Sequence, residues 1–300
     1  MPATLSLPKI STNVRLAAAR WLAPAYAGAL AERLFLTPPR PRLEASALDL
    51  IDARAGHILH RGRRIALWEW GWKSREAPAV VIAHGWGGNA AQMRAFAFPL
   101  LTAGFRVVTF DQPAHGLSEG RLTSAVDFAD ALRAVAEAVG RVRAVIAHSL
   151  GAAAATFAVA RGLPLESTVL ISPPADYVGY SRRFARWHWL PERARRAMQG
   201  AIEERYGVRW AELDVERLAP RLAGDALVIH DRRDRMVSFE QGARVARLWP
   251  GARLLATEGL GHNRILENEA IACAAAAFIA GRSAVADVAQ PALAVPAPLY

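Results

Sequence analysis

The chain has 300 residues, 53% of them hydrophobic and 21% charged, which excludes a disordered protein and allows a sizeable core in one large or two small domains. Its formal charge of +10 is nearly all arginine scattered through every segment, so the surplus reads as compositional bias and no nucleic-acid partner is expected. The single cysteine, Cys273, excludes an intrachain disulfide, fits a reducing compartment, and reads as a small buried hydrophobe on the last helix.

At the amino end, residues 1–7 carry no charged start and no cleavage site follows a continuous apolar core. The uncharged stretch 21–31 is far shorter than the roughly 20 residues a membrane span needs, so the expectation is a cytoplasmic protein without an anchor. Residues 13–36, with Val14, Leu16, Trp21, Leu22, Leu30, Leu34 and Phe35, predict one or two helices interrupted at Pro24 and stopped by Pro38, Pro39 and Pro41. This arm, residues 1–44, is expected to pack on the main domain; peripheral membrane contact and self-association are the less favoured readings.

A different rhythm begins near residue 45. Residues 65–70 alternate as an edge-type strand, and the continuous apolar runs 79–83, 106–110 and 142–147 predict strands buried on both faces. Helical stretches at 90–103 and 123–140 lie between them, so the order predicts a parallel sheet with crossovers. The alternation resumes at 167–171, 226–230 and 252–256 and closes with a helix over 267–280. Between residues 172 and 225 it stops, and an arginine- and aromatic-rich insert of two or three short helices is expected to sit over the carboxyl ends of the strands as a cap, at about 174–224. Within the insert Arg182, Arg183, Arg186, Arg193, Arg195 and Arg196 read as a solvated helix face, while Tyr177, Tyr180, Phe184, Trp187, Trp189 and Leu190 suggest an apolar substrate site. The domain thus runs over 45–281, and 282–300 reads as a disordered tail.

The polar residues collect where apolar runs end. His84-Gly85-Trp86-Gly87-Gly88 follows the 79–83 strand, and a loop beginning at Asp111 and containing His115 follows 106–110. Asp231-Arg232-Arg233-Asp234 follows 226–230, and Gly259-Leu260-Gly261-His262 follows 252–256. In Ala147-His148-Ser149-Leu150-Gly151 a serine sits where a strand turns sharply into a helix, with small residues two positions to either side that let strand and helix pass closely. A serine hydroxyl needs a base within hydrogen-bond reach, and the base needs a third group to fix its tautomer.

On these five loop motifs, in the order serine, acid, histidine, the chain from about residue 60 to 280 resembles the α/β-hydrolase superfamily, in the manner of its serine esterases and lipases. The resemblance implies a mostly parallel central sheet flanked by helices, with a helical cap inserted after the sixth core strand. It also implies Ser149 as nucleophile, His262 as base and Asp234 as orienting acid, with Asp231 the alternative carboxylate and His84, His115, His148 and His230 the competing histidines. His148 is expected to point away from the reaction, and His84 and His115 to brace the loops. The backbone amides of Trp86 and Leu150 are the implied oxyanion donors, and Trp86, Tyr177, Phe184, Trp187 and Trp189 the implied pocket. Dehalogenases and epoxide hydrolases of this fold carry aspartate at the nucleophile position, whereas serine forms an acyl enzyme. The expected activity is cleavage of a small-molecule carboxylic ester; acyl transfer, thioester cleavage or a non-catalytic binding module on the same fold are the alternatives. No cofactor is implied, and no histidine and carboxylate spacing has a metal-site pattern.

Overall fold

The computed structural model describes residues 24–39, 50 and 52–281. The helix expected over 13–23, the stretch 40–49 and the tail 282–300 lie outside the described residues.

The first described helix, α1 (Pro24–Leu36), precedes a sheet of eight strands: β1 (Arg54–His60), β2 (Arg63–Trp70), β3 (Ala79–Ala83), β4 (Arg106–Phe110), β5 (Val142–His148), β6 (Ser167–Ile171), β7 (Asp225–Asp231) and β8 (Arg253–Thr257). Their order in space is β1-β2-β4-β3-β5-β6-β7-β8. The β1–β2 and β2–β4 pairs are antiparallel and the rest parallel. One expectation is corrected: 65–70 belongs to β2, which lies inside the sheet, and the edge is β1. The edge strand escaped the sequence reading because it pairs on one side only and nearly all of it is exposed, so it carries no apolar run.

The fully buried strands sort their side chains by parity, as a pleated strand with two covered faces must. Val81, Ala83, Val108, Phe110, Val145, Ala147, Leu170, Ala226 and Val228 join one core. Val80, Ile82, Val107, Ala144, Ile146, Val169, Ile171, Leu227 and Ile229 join the other. The first core is covered by α3 (Ala125–Val139), α4 (Leu150–Ala160) and α8 (Phe239–Leu248). The second is covered by α2 (Ala97–Thr102), the 3-10 turn before it (Ala90–Phe96) and α10 (Glu269–Ile279). The helix expected over 90–103 is therefore two pieces, the first held by the Asn89 side chain accepting from Gln92 N. At α3 a capping box between Ser124 and Asp127 sets the start two residues later than the apolar pattern alone suggests.

Cys273 is exposed, against expectation. On α10 residues 271, 272, 274–276, 278 and 279 are buried, leaving 270, 273 and 277 as the outward stripe. In a helix made largely of alanine, hydrophobicity does not mark the inner face.

Between β6 and β7 the chain leaves the sheet as α5 (Tyr177–Trp187), α6 (Glu192–Tyr206), the turn Trp210–Leu213 and α7 (Val215–Leu218). Helix α1 lies on α6. A Cβ at Gly28 would come 2.7 Å from the Ala197 Cβ, so the glycine is what permits the approach. Ala27 packs with Ala194, and Glu32 pairs with Arg205 at 2.6 Å. Phe35 closes the contact, 5.0 Å from Phe184 edge-on and stacked 5.5 Å from Trp210. Among the described residues no helix is long and apolar enough to cross a membrane.

Candidate active site

The turn after β5 is strained where the sequence places its serine. Ser149 has φ 53° and ψ −123°, a region side chains rarely occupy, and its amide donates to Ile171 O at 2.9 Å. Close passage explains the small neighbours: a Cβ at Gly151 would meet His84 O at 2.4 Å, and one at Gly85 would meet the Ser149 Cβ at 2.8 Å. Ala147 is fully buried and keeps an ordinary negative φ, so a methyl group is tolerated where glycine is commoner.

His262 stands on the short helix α9 (Gly261–Arg264), reached from β8 through Gly259 and Gly261, both at positive φ. Its Nε2 is 3.0 Å from Ser149 Oγ and its Nδ1 is 2.7 Å from Asp234 Oδ2. Asp234 is held in turn by Met236 N and Val237 N on its Oδ1, at 2.8 and 2.9 Å. Burial alone would raise this carboxyl, but hydrogen bonds from His230 and His262, the charge of His262 and the Val237 amide outweigh it and hold the group far below the ordinary carboxylate range. It is thus an anion beside the imidazole at any neutral pH.

Asp231, the alternative acid, has a different task. It accepts from Thr257 Oγ1 (2.8 Å), Leu260 N (2.9 Å) and Gly259 N (3.2 Å), tying the end of β7 to the loop that presents His262, and from Arg233 N (2.9 Å) within its own loop.

The competing histidines brace the rim. His84 Nε2 accepts from Gln112 N at 2.9 Å, which puts the proton on Nδ1, where it donates to Gly85 O at 2.7 Å. Burial pushes His84 down to about 4, so it stays neutral. His115 Nε2 accepts from Gly87 N at 3.0 Å. Asp111 joins the same two loops, accepting from Ala90 N (2.8 Å) and Leu117 N (2.7 Å). The segment carrying Trp86 is therefore fixed on both sides. Leu150 opens α4, where a backbone N–H has no acceptor within its own helix.

His148 departs from the expectation that it points away. Its ring lies 4.6 Å from that of His262 and its Nε2 is 3.0 Å from His262 O. Burial first, and the charge of His262 second, push it down to about 3. A neutral imidazole here braces His262 without competing for its proton. In the sequence a tight turn beside the serine is the only cue to its direction, and nothing local marks its partner, 114 residues away.

Ser149 and His262 open into a cavity of ≈ 360 Å³. Trp86, Tyr177 and Trp187 line it as expected, joined by Phe35, Tyr180 and Trp210. Phe184 and Trp189 do not. The stripe of α5 facing the cavity is Tyr177, Tyr180, Arg183 and Trp187, at spacings of three, three and four. Phe184 falls beside that stripe and is buried under Phe35 of α1, while Trp189 lies beyond the end of α5, 78% exposed and at φ 54°. The arginine cluster is also not uniform: Arg195 is buried, bonded to Glu192, Ser181 and Gln199, and Arg183 lines the cavity. Among the described residues no group of three His, Cys, Asp or Glu is arranged to hold a metal.

A model described as the alpha/beta hydrolase family matches residues 80–276. A bifunctional esterase/perhydrolase of Acinetobacter calcoaceticus is 26% identical over 248 residues, covering 64% of this chain and 87% of its own. An esterase structure from Pyrococcus furiosus superposes with a TM-score of 0.61 at 21% identity, over 81% of this chain and 98% of that one. The crystal structure of a bacterial membrane phospholipase A gives 0.60 at 20% identity, over 89% and 95%. The last two likenesses show the fold.

Proposed function

The chain belongs to the α/β hydrolase family, and from that premise we propose that it is a serine hydrolase cleaving small-molecule carboxylic esters through an acyl enzyme. One observation carries the reading: Ser149 Oγ, His262 and Asp234 form a hydrogen-bonded line, 3.0 and 2.7 Å between members, on the wall of a largely apolar cavity.

In this reading His262 Nε2 takes the Ser149 proton as Oγ adds to the ester carbonyl, and the anionic Asp234 stabilises the imidazolium that forms. The oxyanion lies between the amides of Leu150 and Trp86, where loss of one donor costs about a hundredfold in rate. Collapse breaks the bond to the alkoxy oxygen, which leaves as the alcohol with the proton from His262. Water then adds to the acyl–Ser149 carbonyl, giving its proton to His262, and the acid departs as Ser149 recovers its hydrogen. No cofactor enters the cycle. Residues 45–281 are the catalytic domain and about 174–224 its cap, and the helix of the 1–44 arm straps the cap through Phe35; the contacts of α1 with α6 support that division. The single cysteine fits a cytoplasmic location.

Labelling with a fluorophosphonate tests the assignment. One label per chain is expected, lost in Ser149→Ala and much slowed in His262→Ala. Stoichiometric labelling that survives Ser149→Ala removes the nucleophile, and no labelling of the wild type favours a binding module.

A further inference from the structure

Among the described residues, two hydrogen-bond donors on the cavity-facing stripe of α5 are buried without a partner: the Tyr177 hydroxyl and Arg183 Nε. The guanidinium of Arg183 lies over two rings, 5.4 Å from the centroid of Tyr180 and 5.7 Å from that of Trp187, which offset part of its desolvation. Among the described residues no carboxylate is paired with its Nε. Asp176 lines the same cavity, but its Oδ1 is taken by Gly179 N at 2.7 Å as the cap of α5. A buried donor left unmade is costly, so Nε, buried although the Arg183 side chain as a whole is only half-buried, calls for an acceptor beyond the described residues.

We propose that Arg183, aided by the Tyr177 hydroxyl, binds a carboxylate carried by the substrate, so that the preferred esters are half-esters of acids bearing a second, anionic carboxyl group. The proposal rests on the ester-hydrolase reading above. The Nε edge of a guanidinium presents two parallel N–H groups, matching the two oxygens of a carboxylate. The site supplies one positive charge among aromatic walls, which suits a monoanion better than a doubly charged phosphate. Arg235 also lines the cavity, but it is exposed, and so its donors are open to solvent.

The test compares monomethyl esters of straight-chain dicarboxylic acids of increasing length with the same esters in which the free carboxyl is a primary amide, an uncharged isostere. At the best length kcat/KM for the acid should exceed that for the amide by about tenfold or more. Arg183→Met should bring this ratio close to one, Arg183→Lys should keep part of it, and Arg235→Gln should leave it within about twofold. A ratio of one or less at every length, or a ratio that Arg183→Met does not move, overturns the proposal. Calorimetric titration of Ser149→Ala with the same pair reads the contact without turnover. Binding of the acid over the amide by Ser149→Ala, with the wild type hydrolysing neither ester, would sink the hydrolase reading and keep the carboxylate site. Turnover of both esters with no preference would do the reverse.

Discussion

The rim of the sheet and the helical insert above it build one cavity by opposite means. At the rim each proposed catalytic group follows directly from a strand end: Ser149 after β5, Asp234 after β7 and His262 after β8, each held by backbone donors or strained turns within a few residues. In the insert, which residues line the cavity depends on which side of α5 is covered by α1, a helix more than 140 residues away in sequence. Chemistry is thus written locally, whereas pocket shape is a product of tertiary packing.

The sharpest way to break this contrast is to exchange the two carboxylates of one loop. Asp234→Asn should lower kcat on an activated ester by about 10³–10⁴-fold with little change in KM, since an amide leaves the geometry and fixes the wrong imidazole tautomer. Asp231→Asn should act chiefly on stability, because it weakens the three bonds, from Thr257, Gly259 and Leu260, that tie the end of β7 to β8 and the His262 loop. Steady-state kinetics and thermal melts of both variants decide it. The reverse ranking would mean the rim residues are not separable into chemical and structural roles.

A smaller effect probes the packing side. Gly28→Leu places a side chain where only 2.7 Å is free to Ala197 Cβ, so α1 and α6 must separate, at a cost of about 1–3 kcal/mol by denaturant melts. Because Phe35 rides on α1, the same variant should raise KM for long acyl chains more than for acetate. An unchanged melt would show that α1 does not hold the insert.

Next comes pH. His84 and His148 have native values depressed to about 4 and about 3 from an ordinary 6.5, so the unfolded chain binds protons that the native state refuses. The stability they confer is complete above about 6.5 and is lost as pH falls from there toward 4 and then 3. Removing one such imbalance in His148→Gln should flatten the slope of unfolding free energy over that window by up to about 1.4 kcal/mol per pH unit. A slope unchanged from wild type would mean that His148 is not held neutral. The smallest effect is expected at Trp189, exposed and outside the cavity, where Trp189→Ser should change stability by less than about 0.5 kcal/mol and leave the acyl-length profile in place.

Much of this was legible in the sequence, for the same physical reason that separates the two regions. Strands buried on both faces announce themselves as apolar runs, and turns that need positive φ or close approach announce themselves by glycine, so the sheet and the loops bearing Ser149 and His262 can be placed by residue number, while the loop of Asp234, which has no glycine, is placed by the end of its apolar strand alone. The edge strand β1 was not legible, because one-sided pairing leaves it polar. The roles of Phe184, Trp189 and Arg195 were misread, since a helix of aromatics and arginines does not reveal which stripe another helix will cover. The 3.6-residue period through Tyr177, Tyr180, Arg183 and Trp187 was present all along, but choosing it required knowing where α1 lies.

The central claim is a proton-passing line that turns Ser149 into an acyl acceptor. Mixing the protein with a p-nitrophenyl ester, quenching in acid within the first turnover and mapping peptides by mass spectrometry reads it directly. The account predicts one acyl group per chain, on the peptide containing Ser149, and its absence in Ser149→Ala. An acyl group on another residue, or p-nitrophenol released with no acylated peptide at any quench time while Ser149→Ala turns over as fast as wild type, would contradict it.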